Sequence, residues 1–316
     1  MKKIVCLFPG QGSQYVGMGK LFLDQESKEI IDRANDTLGF DLKNLMFDGP
    51  EDELKKTEFT QPAILTHSYL ISQKLEKIIS NKSLEISCVL GHSVGEYAAL
   101  VAAGSLSFSD ALKAVHQRGK FMQQAVAIGD GAMLAILKVP EESIEKACKE
   151  VSTNKSIVMP ANINSPGQIV VSGHSDACDR LQNWFKENYD AAHRIVPLKV
   201  SAPFHSSLMK PAEENLSAFL KEIEIKENTI SYIDNLTATL NPAGTSAEVI
   251  KSNLIGQVSG AVQWSKSIES INPTQSLFLE VGPGKTLMGI CRSIDRQYKV
   301  TPLDTENLEE SLLEIL

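Results

Sequence analysis

One stretch, residues 86–104, constrains the fold more than any other; it reads ISCVLGHSVGEYAALVAAG. Its first part, residues 86–90, is a short apolar run with β-branched residues, which is typical of a buried parallel strand. Residues 96–103 are rich in alanine and stop at Gly104, a pattern that favours a helix with a glycine C-cap. A buried strand that leads directly into a helix predicts an α/β protein with a parallel sheet.

The turn between this strand and helix, residues 91–95, reads GHSVG and fits the motif G-x-S-x-G. In this context the motif holds a serine Oγ above the sheet, with glycine on both sides because a Cβ there would clash. The helix N-terminus then directs N–H groups at the oxygen of an attacked carbonyl. We therefore predict that Ser93 is a nucleophile. The alternative is that Ser93 and Glu96 only form a capping box worth about 1 kcal/mol, which would not require both glycines.

The composition of the chain limits its function classes. It has 316 residues, a net charge of −8 and a pI near 5.4, which argues against non-specific nucleic-acid binding. The first apolar run, residues 4–8, is too short for a signal-peptide core, and no run approaches the length of a membrane span. Its five cysteines show neither C-x-x-C pairing nor metal-ligand spacing. We expect a cytoplasmic protein with reduced cysteines, no metal and no membrane or nucleic-acid partner.

A glycine-rich loop at residues 9–14, PGQGSQ, follows a predicted first strand at residues 3–8. Such a loop lies at the carboxyl edge of a parallel sheet, where α/β proteins place their sites. Its glycine spacing matches neither nucleotide-binding motif, so nucleotide binding is weakly supported. An amide near Gln11 could instead provide a second oxyanion donor beside the N–H of Val94.

Arg118 lies in the middle of an apolar helix face. The helix is predicted to start with a cap at Ser109, and the residues of the face recur every three or four positions: Ala111, Ala114, Val115, Met122 and Ala125. A buried guanidinium needs an anion, because an unpaired buried charge is very costly. Helix spacing leaves open whether that anion is a structural carboxylate or a ligand.

Residues 128–198 show a different pattern, β-α-β-β-α-β, which is the order of a ferredoxin-like unit. We predict that these residues form a small inserted subdomain. The large hydrolase-like α/β domain then consists of residues 1–127 and 199–316. His205 follows in the turn SAPFHS, residues 201–206, on the return to the large domain. Although a lone histidine is more often structural, ligand clefts form at domain junctions, and this position raises His205 as a functional candidate above His116, His174 and His193.

Seven short motifs, taken together, resemble the malonyl-CoA:acyl carrier protein transacylase family. They run in order across nearly the whole chain: FPGQGSQ at 8–14, GHSVGEY at 91–97, RGKFMQ at 118–123, NxNSPGQ at 162–168, FHSxLMKP at 204–211, VQW at 262–264 and EVGPGK at 280–285. Each motif is moderately specific, and their combination leaves little room for chance.

The resemblance implies a role for each matching residue. Ser93 would be the nucleophile and His205 its general base. Backbone N–H groups of Gln11 and Val94 would form the oxyanion hole. Arg118 would hold the free malonyl carboxylate through two parallel N–H···O bonds, a contact worth about 1.5–3 kcal/mol.

Further residues are implied around these groups. In the family a main-chain carbonyl orients the histidine, and the matching position is Gln257, which explains why no triad aspartate has a motif context. The implied substrate pocket contains His92, Met122, Asn162 and Phe204. A phenylalanine before the histidine resembles the malonyl-selective form of the family. Pro203 departs from that pattern, so malonyl is favoured over methylmalonyl without being strictly selected.

The implied reaction is ping-pong transfer of malonyl from malonyl-CoA to the phosphopantetheine thiol of holo acyl carrier protein. It needs no metal or redox cofactor, and a monomer is expected. Acyl carrier proteins of fatty acid synthesis are acidic, so an acidic enzyme needs local basic residues to bind them. Candidates by position are Lys120, Lys285 and Arg292.

Two other function classes compete with this interpretation. A serine thioesterase or esterase shares the turn around Ser93 but usually has an acidic triad residue and a late histidine. More than a hundred residues follow His205, and Arg118 would have no role in such an enzyme. An inactive carrier-protein-binding module would not need these three residues, and acyl-enzyme trapping would distinguish it.

Overall fold

The computed structural model describes residues 3–82, 84–127, 129–198, 200 and 202–315. The strands, in chain order, are β1 Lys3–Phe8, β2 Ile86–Gly91, β3 Gly131–Leu137, β4 Val158–Ser165, β5 Gln168–His174, β6 Arg194–Pro197, β7 Ser231–Ile233, β8 Leu240–Asn241, β9 Ser276–Glu280 and β10 Val300–Pro302. The helices are α1 Gln25–Leu38, α2 Leu42–Asp48, α3 Glu51–Leu54, α4 Thr57–Asn81, α5 Gly95–Ala102, α6 Phe108–Gln124, α7 Glu141–Val151, α8 Ser175–Asn188, α9 Lys210–Phe219, α10 Ala247–Gln257, α11 Trp264–Glu269, α12 Thr286–Ile294 and α13 Leu308–Leu313.

The larger sheet has the strand order β10-β9-β1-β2-β7-β8, and all neighbouring pairs are parallel except the pair of β7 and β8. Its central strand β1 is buried on both faces. Cys6 and Phe8 point into one apolar core, whereas Val5 and Leu7 point into another on the opposite face. A strand with helices on both sides must be apolar throughout, which is why residues 4–8 show no polar alternation.

The smaller sheet is antiparallel, with the order β4-β5-β3-β6. Alternate residues of β3 face different environments. Leu134 and Ile136 pack with α7 and α8 in a separate core, whereas Met133 and Ala135 join the core of the larger unit. The coarse prediction of a mixed α/β protein with a parallel-sheet core is therefore confirmed. The predicted junctions at Ile128 and Lys199 lie outside the described residues.

Helix α6 begins earlier than the sequence predicted. Its N-cap is Ser107, whose Oγ accepts a hydrogen bond from the N–H of Asp110, so the prediction of a cap at Ser109 is wrong. The two serines lie two positions apart, and a capping serine must face the first turn. Within the described part of the chain, no helix has the length and apolar character needed to cross a membrane.

Candidate active site

Ser93 lies on a sharp turn between β2 and α5, with its backbone in the left-handed region at φ 52°. A Cβ at Gly91 would lie 2.0 Å from the carbonyl carbon of Gly95, and one at Gly95 would lie 2.1 Å from the carbonyl oxygen of Phe8. Both glycines are therefore required by close approach of main-chain atoms. The N-cap of α5 is Val94 and it has no side-chain cap hydrogen bond, so the alternative that Ser93 is merely a cap is wrong.

Asn235 fixes this turn from the neighbouring strand connection. Its Oδ1 accepts a hydrogen bond from the N–H of Ser93 at 2.7 Å, and its Nδ2 donates to the carbonyl of Gly91 at 2.6 Å. Asn235 belongs to none of the quoted motifs, so the sequence motifs do not predict its role. The signal that would identify it is its position after β7, at the same sheet edge as the end of β2.

Ser93 and His205 form a hydrogen-bonded pair, with 2.7 Å between Oγ and Nε2. His205 Nδ1 lies 2.8 Å from the main-chain carbonyl oxygen of Gln257. Because a carbonyl only accepts hydrogen bonds, Nδ1 carries the proton and Nε2 accepts from the serine hydroxyl. Burial, and then the positive charge of Arg118, lower the pKa of His205 to about 3. The imidazole is therefore neutral and able to accept a proton.

Gln11 and Val94 lie at the adjacent carboxyl ends of β1 and β2, where Phe8 pairs with Gly91. Within the described ranges, neither backbone N–H donates a hydrogen bond to a protein acceptor. Both residues line the same cavity as Ser93. The site therefore has two N–H groups beside the serine that are not used within the fold.

The cavity in front of Ser93 and His205 has a volume of about 100 Å³. Liquid water takes up roughly 30 Å³ per molecule, so the cavity has room for a small acyl group. All four residues predicted for the substrate pocket line this cavity: His92, Met122, Asn162 and Phe204. It is also lined by three further apolar side chains: Met133, Leu198 and Val200. His92 is held in place because its Nε2 lies 2.8 Å from Asn164 Oδ1.

Arg118 reaches the same cavity from α6 and is only 1% exposed. Its Nη1 donates to Gln61 Oε1 at 2.9 Å, and its Nη2 donates to Gln257 Oε1 at 2.8 Å. The same Nη2 lies 3.2 Å from Ser93 Oγ. Among the described residues no Asp or Glu forms an ion pair with it, so the alternative of a structural salt bridge is wrong. The guanidinium is held by neutral amides beside Ser93.

Gly119, next to Arg118, allows α6 to approach α4 closely. A Cβ at this glycine would lie 2.7 Å from the Cα of Glu58 and 2.7 Å from the carbonyl oxygen of Thr57. The close crossing brings Gln61 of α4 within hydrogen-bond distance of the guanidinium. The sequence does not predict this role for Gln61, because a glutamine on a buried helix belongs to no motif of its own.

The side chain of Gln257 connects three parts of the site. Besides accepting from Arg118, its Nε2 donates to the carbonyl oxygen of Ser93 at 2.9 Å and to Glu96 Oε2 at 2.6 Å. The sequence predicted a role only for the main-chain carbonyl of Gln257. Burial and the nearby Asp234 raise the pKa of Glu96 to about 8.

Of the three predicted docking residues, Lys285 and Arg292 are exposed and Lys120 is partly buried. Lys285 directly follows a loop that packs against the loop of Gln11, because a Cβ at Gly282 would lie 2.5 Å from the ring of Pro9. Lys285 thus lies at the surface near the loop of Gln11.

Comparison with known proteins identifies the family. The model for the acyl transferase domain matches residues 5–306. Malonyl CoA-acyl carrier protein transacylase of Staphylococcus aureus (strain COL) is 42% identical over 308 residues, covering 96% of each chain. The chain belongs to the malonyl CoA-acyl carrier protein transacylase family. The Bacillus subtilis (strain 168) member is 41% identical over 313 residues, which cover 98% of this chain and 96% of the relative.

Solved structures of the family agree with this assignment. The malonyl CoA-acyl carrier protein transacylase of Coxiella burnetii superposes with a TM-score of 0.92 at 36% identity, covering 99% of this chain and 98% of that chain. A malonyl-transacylase in complex with a holo type II PKS acyl-carrier protein superposes with a TM-score of 0.91 at 37% identity. The superposition covers 99% of this chain and 100% of that chain. The predicted family resemblance is confirmed over nearly the whole chain.

Proposed function

We propose that this protein transfers the malonyl group of malonyl-CoA to the phosphopantetheine thiol of holo acyl carrier protein, and so supplies fatty acid synthesis. The observation that carries the proposal is a hydrogen-bonded Ser93–His205 pair with the guanidinium of Arg118 3.2 Å from the serine Oγ. A serine nucleophile beside a buried cation suits an acyl group that carries a carboxylate. The names of the relatives support the same reaction.

In the first half-reaction, Ser93 Oγ attacks the thioester carbonyl as its proton passes to His205 Nε2. The N–H groups of Gln11 and Val94 stabilise the oxyanion, and the main-chain carbonyl of Gln257 holds the imidazolium through Nδ1–H. When the tetrahedral intermediate collapses, the C–S bond breaks and the imidazolium protonates the departing CoA thiolate. A malonyl ester of Ser93 remains.

The second half-reaction reverses these steps with a different thiol. His205 Nε2 takes the proton of the phosphopantetheine thiol, and the sulfur attacks the ester carbonyl. Collapse breaks the C–O bond, and the imidazolium returns the proton to Ser93 Oγ. Serine, imidazole and backbone N–H groups supply every step, so we expect the chemistry to need no metal or redox cofactor.

Two features of the cavity would select the acyl group. Arg118 would bind the malonyl carboxylate, which acetyl lacks, through a charge-assisted contact worth about 1.5–3 kcal/mol. Phe204, with Met133 and Leu198 beside it, would occupy the space that an α-methyl branch needs. Pro203 packs against Gly131, since a Cβ on that glycine would lie 2.4 Å from its ring. This contact would hold the phenylalanine turn in place and favour malonyl over methylmalonyl.

The architecture extends this proposal. We infer a hydrolase-like domain of residues 1–127 and 199–316 with an inserted ferredoxin-like subdomain of residues 128–198. The antiparallel order β4-β5-β3-β6, with α7 and α8 packed on one face, supports the second inference. The carrier protein would dock near the basic residues at the surface: Lys120, Lys285 and Arg292. A monomer in the cytoplasm suits this role, and the five unpaired buried cysteines support a reducing compartment.

Intact-protein mass spectrometry after brief mixing with malonyl-CoA tests the proposal. Wild type should gain the mass of one malonyl group, and Ser93→Ala should gain none. Holo acyl carrier protein should then discharge the label much faster than water does. If water discharges the label as fast, the protein is a thioesterase and the proposal fails; if wild type never labels, a binding module is favoured.

A further inference from the structure

Arg118 and Glu96 are both buried beneath the site, each 1% exposed, yet they do not form an ion pair. The side-chain amide of Gln257 stands between them, 2.8 Å from Arg118 Nη2 and 2.6 Å from Glu96 Oε2. Within the described ranges, Arg118 Nε and Glu96 Oε1 have no hydrogen-bond partner. A cation and a carboxyl group are thus kept one amide apart.

This separation leaves the end of the guanidinium available. A direct pair with Glu96 would occupy the two parallel N–H groups that a ligand carboxylate needs. As arranged, one N–H of Nη1 donates to Gln61, and one N–H of Nη2 donates to Gln257. Nη1 and Nη2 together carry four N–H groups, so one on each nitrogen remains. In the part of the chain that is described, the remaining N–H of Nη2 contacts only the hydroxyl of Ser93. The carboxylate can therefore balance the cation without competing for the substrate-facing donors.

Four charged or titratable groups act on Glu96. They are Arg118 from α6, Asp234 after β7, Tyr232 on β7 and Tyr97 on its own helix. Burial and then the charge of Asp234 raise the pKa of Glu96 to about 8, while the hydrogen bonds from Gln257 and from the N–H of Asn235, and then the charge of Arg118, lower it. A ligand carboxylate bound at Arg118 adds a negative charge near Glu96. This charge disfavours the ionised form of the Glu96 carboxyl group.

We propose that Glu96 is a positioning residue for acyl-group selection, which in alkaline solution balances Arg118 through Gln257 in the empty site and takes up one proton when the malonyl carboxylate binds. The carboxylate of Glu96 becomes a carboxylic acid with a proton from solvent, Arg118 stays charged, and the malonyl carboxylate replaces Glu96 as its counter-ion. The inference rests on the proposed function, because it needs malonyl at Arg118.

Calorimetry on the full-length Ser93→Ala protein tests this without acyl transfer. Malonyl-CoA binding is measured in buffers that differ in ionisation enthalpy, which reports the protons taken up. Above about pH 8 the uptake should approach one proton, and Kd should rise up to about tenfold per pH unit. Acetyl-CoA, which has no carboxylate, serves as the matched ligand and should show neither effect.

Adding Glu96→Gln, which preserves the size of the side chain and an acceptor for Gln257, should abolish the uptake and the rise in Kd. Glu280→Gln is the matched control, since burial raises the pKa of Glu280 to about 7 in a carboxyl group that caps α12. It should retain both effects. Asp234→Asn gives a second readout: it removes a charge that raises the pKa of Glu96, so Kd should begin to rise at a lower pH.

Undiminished proton uptake in Glu96→Gln, or an unmoved pH profile in Asp234→Asn, would overturn the inference. The proposed function fails separately. If Arg118→Ala in the same background still prefers malonyl-CoA to acetyl-CoA, the carboxylate clamp itself is wrong. If Arg118→Ala loses that preference while Glu96→Gln keeps the uptake, only the role of Glu96 is wrong.

Discussion

The two sides of the cavity are built in different ways. On the side of the proposed nucleophile the backbone sets the geometry: Ser93 and His205 both have positive φ, 52° and 56°, and Gly95 lies against main-chain atoms. On the side of the proposed carboxylate clamp, amide side chains from distant helices hold Arg118; Gln61 is 57 residues away in sequence and Gln257 is 139. Geometry that the backbone sets is encoded in a short stretch of sequence and tolerates few substitutions. Geometry that side chains set depends on residues far apart in the sequence, and single substitutions can change it by small steps.

Removing the base should have the largest effect on the nucleophile side. His205→Gln keeps a polar side chain of similar reach but cannot take the proton of Ser93, so kcat/KM should fall by about 10²–10⁴-fold, the usual contribution of a general base. Steady-state transfer to holo acyl carrier protein measures this. A loss smaller than tenfold would show that another group accepts the proton.

The backbone of the turn should be nearly intolerant of a methyl group. Gly95→Ala places a Cβ 2.1 Å from the carbonyl oxygen of Phe8, so it should cost about 3 kcal/mol of unfolding free energy or more. Gly289→Ala in α12 is the matched control, because among the described residues no atom outside the adjoining backbone of its own helix lies within 4 Å of its Cβ position. It should gain about 0.5–1 kcal/mol. Urea unfolding measures both, and equal midpoints for the two variants would contradict the steric account.

The buried base should also make stability depend on pH. The pKa of His205 is lowered from 6.5 to about 3 in the folded protein, so between those values the unfolded chain binds the extra proton. Stability from this group is therefore lost as pH falls below about 6.5, at up to about 1.4 kcal/mol per pH unit. Urea unfolding near pH 7 and near pH 5 should show a larger loss for wild type than for His205→Gln. Equal losses would mean that the imidazole is protonated in the fold.

On the other side, charge alone should not replace the guanidinium. Arg118→Lys keeps the positive charge but cannot present two parallel N–H groups while also serving two amides. Selectivity for malonyl-CoA over acetyl-CoA should fall by about tenfold, with Ser93 still acylated. Competition labelling followed by mass spectrometry gives the ratio directly. If the selectivity of Arg118→Lys were unchanged, the positive charge of Arg118 alone would account for carboxylate binding.

The smallest effect should come from loosening one amide. Gln61→Leu removes one hydrogen-bond acceptor from Arg118, which is worth about 1 kcal/mol, so KM for malonyl-CoA should rise about fivefold while kcat stays the same. Gln73→Leu on the same helix α4, where the amide donates to exposed Glu76, is the control and should change neither constant. A fall in kcat for Gln61→Leu would place this residue on the nucleophile side.

The sequence by itself determined the turn around Ser93 and the outline of the fold. Residues 86–104 contain a strand, a glycine-flanked serine and a helix as neighbours in the chain, so local sterics and hydrophobic period were sufficient to predict β2 and α5. Motif resemblance added Arg118 and His205, and the structure brings both to Ser93. The cap of α6 was misplaced because two serines near a helix start satisfy the same local rule.

Only the tertiary structure decided how Arg118 is held. The sequence predicted that a buried guanidinium needs an anion, yet Gln61 and Gln257 hold it, and Glu96 stays one amide away. The role of Asn235 was not predicted for the same reason. Its hydrogen bonds with Ser93 and Gly91 join residues that are 142 and 144 positions apart. Contacts at such separations follow no helical or strand period, and they form only when the packing of α4, α6 and α10 around the sheet brings these side chains together.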